Sequence, residues 1–332
     1  MRIAYFWLTP QGMELAQRLQ AGFGGVIEPK EDFAKTVRRD FEQYDALVFI
    51  MATGIVVRTI APLLKSKNVD PAVLVLDQQG RYVISLLSGH LGGANELTRK
   101  IAAEIGADPV ITTATDIQGA PAFDEIAKKN KLAIENLGAL KFISGALLEG
   151  KTVELYTEIP LSEPCAHSQL RLTKKPSGKF QVIVSDRIFS ENKDVKALYL
   201  RPKSLVIGVG CKRNIEPSLL EACFTEFMQG YKLSPLSVAK IATIGLKRDE
   251  AAIIKLCKKL KVQLEIVADE EIKSCDYPFS SSEFVRRTTG LESVAEACSY
   301  LASSCGEMIT GKVKYSGVTI AACRLALPPL KL

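Results

Sequence analysis

The stretch Ser88-Gly89-His90-Leu91-Gly92-Gly93-Ala94-Asn95-Glu96 joins an apolar run, Tyr82 to Leu87, to a helical pattern of Leu97, Ile101 and Ile105. A histidine, three glycines, an amide and a carboxylate therefore stand where a strand feeds a helix. Glycine lets a backbone turn sharply and approach a ligand, and the first N–H groups of a helix lack partners and attract anions. Histidine exchanges protons around neutral pH, its ordinary pKa being about 6.5. The stretch suits an anion cradle with an acid–base group in it. A glycine-rich connection whose histidine packs locally fits the same residues.

Other strand ends carry polar groups too. The strand Ala46 to Met51 leads through Ala52-Thr53-Gly54 into a helical run bearing Arg58, and the strand Pro109 to Thr113 leads into Ala114-Thr115-Asp116. If the strands are parallel, all these turns open at one sheet edge, where such sheets bind ligands. In the second half, the strand Leu205 to Val209 runs into Gly208-Val209-Gly210-Cys211-Lys212-Arg213. This begins like a dinucleotide fingerprint, but Arg213 stands where the third glycine belongs, so an anion suits it better than a nucleotide. Lys247 follows the strand Val238 to Ile244 and is either half of an i, i+3 pair with Glu250 or a ligand contact. The loop Ser280-Ser281-Ser282 and the stretch Thr288-Thr289-Gly290 precede a helix from Glu292, with Ser293 and Glu296 spaced as a capping box.

The elements that must position these residues alternate strand and helix, the pattern of a sheet covered by helices. The expected class is α/β: two parallel-sheet α/β domains, residues 1–130 and 204–332, joined by a small α+β middle module, residues 131–203. In that module Lys175-Pro176-Ser177-Gly178 signals a hairpin between Gln169–Thr173 and Lys179–Ser185. A chain of 332 residues with 47% apolar and 24% charged residues is an ordinary globular protein. No apolar run approaches the ~18 residues that span a bilayer, and the first residues read as a strand, so a cytoplasmic protein without a membrane partner is expected. The net charge of +6 is spread evenly, 17 Lys and Arg against 14 Asp and Glu after residue 203 and 26 against 23 before it. It suits an anionic small molecule better than nucleic acid. Eight cysteines without CxxC spacing and two histidines give neither a disulfide framework nor a protein-held metal.

The stretches Thr53-Gly54-Ile55-Val56-Val57-Arg58, Asp70-Pro71-Ala72-Val73, Ser88 to Asn95 and Ile111-Thr112-Thr113-Ala114-Thr115-Asp116 together resemble the N-terminal part of the CbiG family. The second half is similar to the same family at Gly208 to Arg213, at Leu246-Lys247-Arg248-Asp249-Glu250 and at Thr289-Gly290-Leu291-Glu292-Ser293-Val294-Ala295-Glu296-Ala297. The ordered set covers nearly the whole chain. Two positions depart from the family: Ser280-Ser281-Ser282 replaces an Asn-Pro-Ser-like loop, and Lys212 stands where Arg is frequent.

The resemblance implies a cobalt-precorrin-5A hydrolase of anaerobic cobalamin biosynthesis. Its substrate is a cobalt tetrapyrrole fringed with acetates and propionates, whose ring-A lactone is opened by water with loss of acetaldehyde. Cobalt arrives with the substrate, so no cofactor is expected. His90 is the expected proton-transfer group, with Glu96 orienting it or sharing base duty. Thr53, Gly54, Arg58, Gly89, Gly92, Gly93, Asn95, Thr115, Asp116, Gly208, Gly210, Cys211, Lys212, Arg213, Lys247, Ser282 and Thr289 are the expected substrate contacts. A tetrapyrrole-binding chaperone of the same pathway is the alternative. A homodimer and transient contacts with neighbouring pathway enzymes are compatible with either.

Overall fold

The computed structural model describes residues 1–66, 69–113, 119–165, 167–190 and 192–332. They divide into two units, Met1–Lys128 and Lys129–Leu332. Thr115 and Asp116 lie outside the described residues.

In the first unit, Thr9 Oγ1 accepts the Gly12 N–H at 3.1 Å and Pro10 takes the first helical position, which starts α1 (Pro10–Phe23) after β1 (Ile3–Trp7). There follow β2 (Val26–Ile27), α2 (Phe33–Asp40), β3 (Ala46–Ile50), α3 (Thr53–Ile60), β4 (Ala72–Leu76), β5 (Tyr82–Leu87), α4 (Ala94–Ile105), β6 (Asp108–Val110) and α5 (Phe123–Lys129). The sheet order is β2-β1-β3-β4-β5-β6. Strand residues alternate between two cores: Ile3, Tyr5, Val48 and Leu74 pack on one face, and Phe6, Leu47, Phe49 and Val73 on the other. β1 to β4 are parallel.

β5 reverses this order. Asp77 Oδ1 and Oδ2 accept the N–H groups of Gln79 and Tyr82 at 2.9 and 2.8 Å, and Gly80 has φ +67°, closing a turn too short for a parallel crossover. β5 therefore pairs antiparallel with β4, Val73 opposite Leu87 and Leu76 opposite Val83, while β6 runs parallel to β5. The turn after β5 opens at the amino edge of β3 and β4, and the turn after β3 at their carboxyl edge. The expectation of one shared edge is corrected.

The second unit holds two sheets. β7 (Ala133–Ile134), α6 (Leu140–Leu148), β8 (Val153–Thr157), β9 (Leu170–Leu172), β10 (Phe180–Val184) and β11 (Lys196–Arg201) form the order β7-β11-β10-β8-β9. The expected hairpin does not form, because β9 and β10 each pair parallel with β8, on its opposite sides. Buried Glu154 holds the crossing chain, accepting the N–H groups of Ser177 and Gly178 at 2.7 and 2.8 Å.

β12 (Leu205–Cys211), α7 (Pro217–Gly230), β13 (Val238–Ile244), α8 (Ala251–Leu260), β14 (Gln263–Val267), α9 (Asp269–Lys273), α10 (Glu283–Thr289), α11 (Ala295–Ala302), β15 (Glu307–Lys314) and β16 (Val318–Arg324) complete the chain. Their sheet order is β14-β13-β12-β16-β15, with β12 to β14 parallel and β16 antiparallel to both its neighbours. Helix α11 crosses β12 so closely that a Cβ on Gly208 would lie 1.9 Å from the Ala295 carbonyl oxygen. Gly208 is thus a packing residue, and its expected role as a ligand contact is corrected.

Gly208→Ala should therefore destabilise the second unit by about 1–3 kcal/mol through overpacking. Gly210→Ala, whose Cβ would meet nothing closer than 3.6 Å, should leave it near wild type. Thermal unfolding of the two variants checks the contrast; equal midpoints would show that α11 can shift to admit the methyl group.

Candidate functional site

The loop after β5 is folded on itself. Ser88 has φ +56°, and its Oγ donates to the Asp70 carbonyl at 3.0 Å. A Cβ on Gly92 would stand 2.4 Å from Ser88 Cβ, and one on Gly89 would stand 2.8 Å from Asn95 Oδ1. The N–H groups of Gly93, Ala94 and Asn95 donate to the carbonyls of His90, Ser88 and Gly89 at 3.0, 3.2 and 3.0 Å. Gly89 and Gly92 permit the fold of the loop, and of the three glycine N–H groups expected to form the cradle, that of Gly93 already has an acceptor within the loop.

Asn95 is fully buried, its Oδ1 accepting from Ser85 Oγ at 2.6 Å and its Nδ2 donating to Thr113 Oγ1 at 3.3 Å. It ties β5 to the segment after β6. That tie keeps the two strand ends together, and α5 follows the second of them. His90 Nδ1 lies 2.7 Å from Glu125 Oε1, with the imidazole 16% and the carboxylate 36% exposed. A carboxylate only accepts, so this contact places a proton on Nδ1.

Glu96, the expected partner of His90, is exposed and pairs with Lys100 at 2.6 Å, which holds its carboxyl below the usual range. Glu125 takes the place assigned to Glu96. The signal for it was the parallel pairing of β5 and β6, which sends the helices after both strands away from one edge. Beside the loop runs a groove of about 750 Å³, with Leu91, Gly92 and Lys128 in its wall. The Lys128 Nζ donates to the Leu91 carbonyl at 3.2 Å.

Thr53, Gly54 and Arg58 stand at the opposite edge of this sheet, separated from the loop by the five residues of β3, roughly 17 Å at ~3.3 Å per residue. Arg58 folds back on its own helix and donates to the Gly54 carbonyl at 3.1 Å. The three do not join His90.

The second unit has its own site at the carboxyl edge of β12 and β13. A cleft of about 490 Å³ is lined by Gly210, Cys211, Lys212, Arg213, Lys247, Ser282 and Thr289, seven of the expected contacts. Apolar walls come from Val285, Val294 and Val318. Lys247 forms the i, i+3 pair, its Nζ 3.4 Å from the buried Glu250 carboxylate, and it also lies in the cleft wall. Arg213 Nη1 donates to the Leu246 carbonyl at 3.0 Å. Burial pushes the Cys211 thiol up to about 11, against the pull of Lys247, so it is a neutral thiol at pH 7 and a poor nucleophile.

Lys312, Lys314 and Tyr315 also line the cleft and escaped the sequence reading, because β15 was not anticipated. The capping box does not form. Glu296 instead accepts the Ser280 N–H at 2.7 Å, the Ser280 hydroxyl at 2.9 Å and the Lys312 N–H at 2.6 Å. Among the described residues no group of three or more His, Cys, Asp or Glu is arranged to hold a metal ion, and no helix is long and apolar enough to cross a membrane.

Three family descriptions match in order: cobalamin synthesis G N-terminal over residues 35–116, cobalamin biosynthesis central region over 121–202, and cobalamin synthesis G C-terminus over 205–323. A cobalt-precorrin-5A hydrolase from Salmonella typhimurium is 36% identical over 96% of this chain and 96% of its own. One from Priestia megaterium is 31% identical over 85% of this chain and 79% of its own. A solved structure titled as a putative cobalamin biosynthesis protein G homolog from Sulfolobus solfataricus covers 97% of both chains at 23% identity, with a TM-score of 0.41. With the three regions in this order and such relatives along nearly its whole length, the chain belongs to the cobalamin synthesis G, or CbiG, family.

Proposed function

We infer that this chain hydrolyses cobalt-precorrin-5A. Water opens the ring-A δ-lactone, the extruded two-carbon unit leaves as acetaldehyde, and cobalt-precorrin-5B remains. The observation that carries this reading is the 36% identity, over 96% of both chains, to a protein of that name. Cobalt belongs to the substrate, and the chain supplies no cofactor of its own.

The His90–Glu125 pair fits the proton transfers this reaction needs. With Nδ1 held by Glu125, the neutral ring carries its lone pair on Nε2, which takes a proton from water as it adds to the acyl carbon. The same atom returns the proton to the lactone oxygen as the acyl C–O bond breaks, giving a free carboxyl group and a hydroxyl. Loss of the hydroxyl proton then forms the aldehyde C=O as the carbon–carbon bond to the ring breaks, and the macrocycle keeps that bond's electron pair and takes up a proton. Lys212, Arg213 and Lys247 fit the peripheral carboxylates of the substrate, since guanidinium and ammonium donors form strong charge-assisted bonds to carboxylate.

Acetaldehyde release from cobalt-precorrin-5A tests both parts. His90→Ala should lower kcat by about 10²–10⁴-fold. Glu125→Gln should lower it by at least about tenfold, because an amide can offer either end to Nδ1 and no longer fixes the tautomer. Glu96→Gln should be silent; loss there with full activity in Glu125→Gln would transfer the orienting role back to Glu96. Cys211→Ala should retain turnover, and its inactivation would mean that a thiolate takes part. Binding without acetaldehyde from the wild-type protein would make it a carrier.

A further inference from the structure

We propose that Lys312 is a further substrate ligand of the C-terminal cleft, binding a peripheral carboxylate of the tetrapyrrole, and that Glu296 is the residue that positions it. The proposal rests on the reading of this cleft as the carboxylate-binding site. Lys312 lies on β15 where the pairing with β16 slips, Thr310 opposite Ala322 but Val313 opposite Ile320, so the strand carries an extra residue there. Such a bulge leaves a backbone group without a ladder partner and re-aims a side chain. Here the unpaired group is the Lys312 N–H, which donates to Glu296 Oε1 at 2.6 Å. Glu296 is 4% exposed, so a buried carboxylate is committed to holding the bulge. Gly311 beside it leaves room for that carboxylate, since a Cβ there would lie 3.1 Å from Glu296 Oε1.

The same carboxylate holds Ser280 through its N–H and hydroxyl, and the Ser280 and Ser281 carbonyls in turn accept from Lys312 Nζ at 2.6 and 3.3 Å. Backbone and ammonium of Lys312 are thus fixed by one network. An ammonium has three N–H donors, and two carbonyls engage two of them. Among the described residues no carboxylate pairs with this Nζ, although the cleft around it also contains Lys212, Arg213, Lys247 and Lys314. Burial and Lys314 pull its pKa down while Glu296 opposes them. The ligand chemistry this suits is a carboxylate.

The test uses the full-length protein and cobalt-precorrin-5A, with binding read by rapid-mixing absorbance before turnover and catalysis by acetaldehyde release. Lys312→Met should weaken binding and raise KM by about tenfold or more, the value of one charge-assisted hydrogen bond, with kcat little changed. Lys312→Arg should restore part of the affinity. Glu296→Gln should raise KM in the same direction, and the double variant should bind no worse than Lys312→Met alone. Lys174→Met, in the exposed loop between β9 and β10, should behave as wild type. Wild-type affinity in Lys312→Met overturns the proposal while leaving the hydrolase reading intact. Binding by the wild type without acetaldehyde removes the hydrolase reading and leaves Lys312 to be judged on affinity. Absence of wild-type binding overturns both.

Discussion

The reversal between β4 and β5 decides where the N-terminal unit can do chemistry. Its physical content is small: the two carboxylate oxygens of Asp77 each take a backbone N–H, and Gly80 adopts a left-handed conformation. The consequence is large, because reversing one strand moves the loop after it to the other edge of the sheet. His90 is thereby taken away from Thr53 and Arg58, and brought beside the segment after β6, which Asn95 ties in place through Thr113. Helix α5 then presents Glu125 to the imidazole. A parallel β5 would have left His90 without this partner.

In the second unit the corresponding constraint is the approach of α11 to β12. With no side chain at Gly208, the helix backbone lies against the strand, and Glu296, the second residue of that helix, reaches both the Ser280 loop and the bulge of β15. The cleft wall is assembled on one buried carboxylate whose acceptor sites are taken by N–H and O–H donors. Buried polar groups of this kind are costly when half satisfied and rigidify their surroundings when fully satisfied. The wall that carries Lys312 belongs to the second class.

Much of this was legible from residue order. The strand and helix alternation gave the α/β architecture, and the C-terminal contacts from Gly210 to Thr289 do converge on one cleft. Three things were not, each for a physical reason. Direction was missed at β5, although Asp77-Gln78-Gln79-Gly80 is too short for a parallel crossover and could have disclosed it. Pairing was misread at Lys175–Gly178, where turn residues that favour a hairpin serve a crossing held by Glu154, a contact between residues more than twenty apart. Roles were misassigned where sequence neighbours compete with spatial ones: Glu96 is near His90 in the chain and meets Lys100, whereas Glu125 is distant in the chain and meets His90. Glycine was the most ambiguous residue. Close packing requires it at Gly89, Gly92 and Gly208 as strictly as a ligand would.

The charge arrangement of the C-terminal cleft follows its own logic. Two like charges about 8 Å apart repel by about 2 kcal/mol at an effective dielectric near 20, so a ring of cations around an apolar cleft carries a standing electrostatic cost. Glu250 offsets part of it at Lys247, and Glu296 at Lys312. The remaining cost is removed by a ligand that brings several negative charges at once, and a neutral macrocycle of the same outline would leave it in place. Apolar groups such as Val285 and Val294 exclude water from the contact and so strengthen each charge pair formed there. The cleft therefore favours a polyanionic ligand over a neutral one of the same outline.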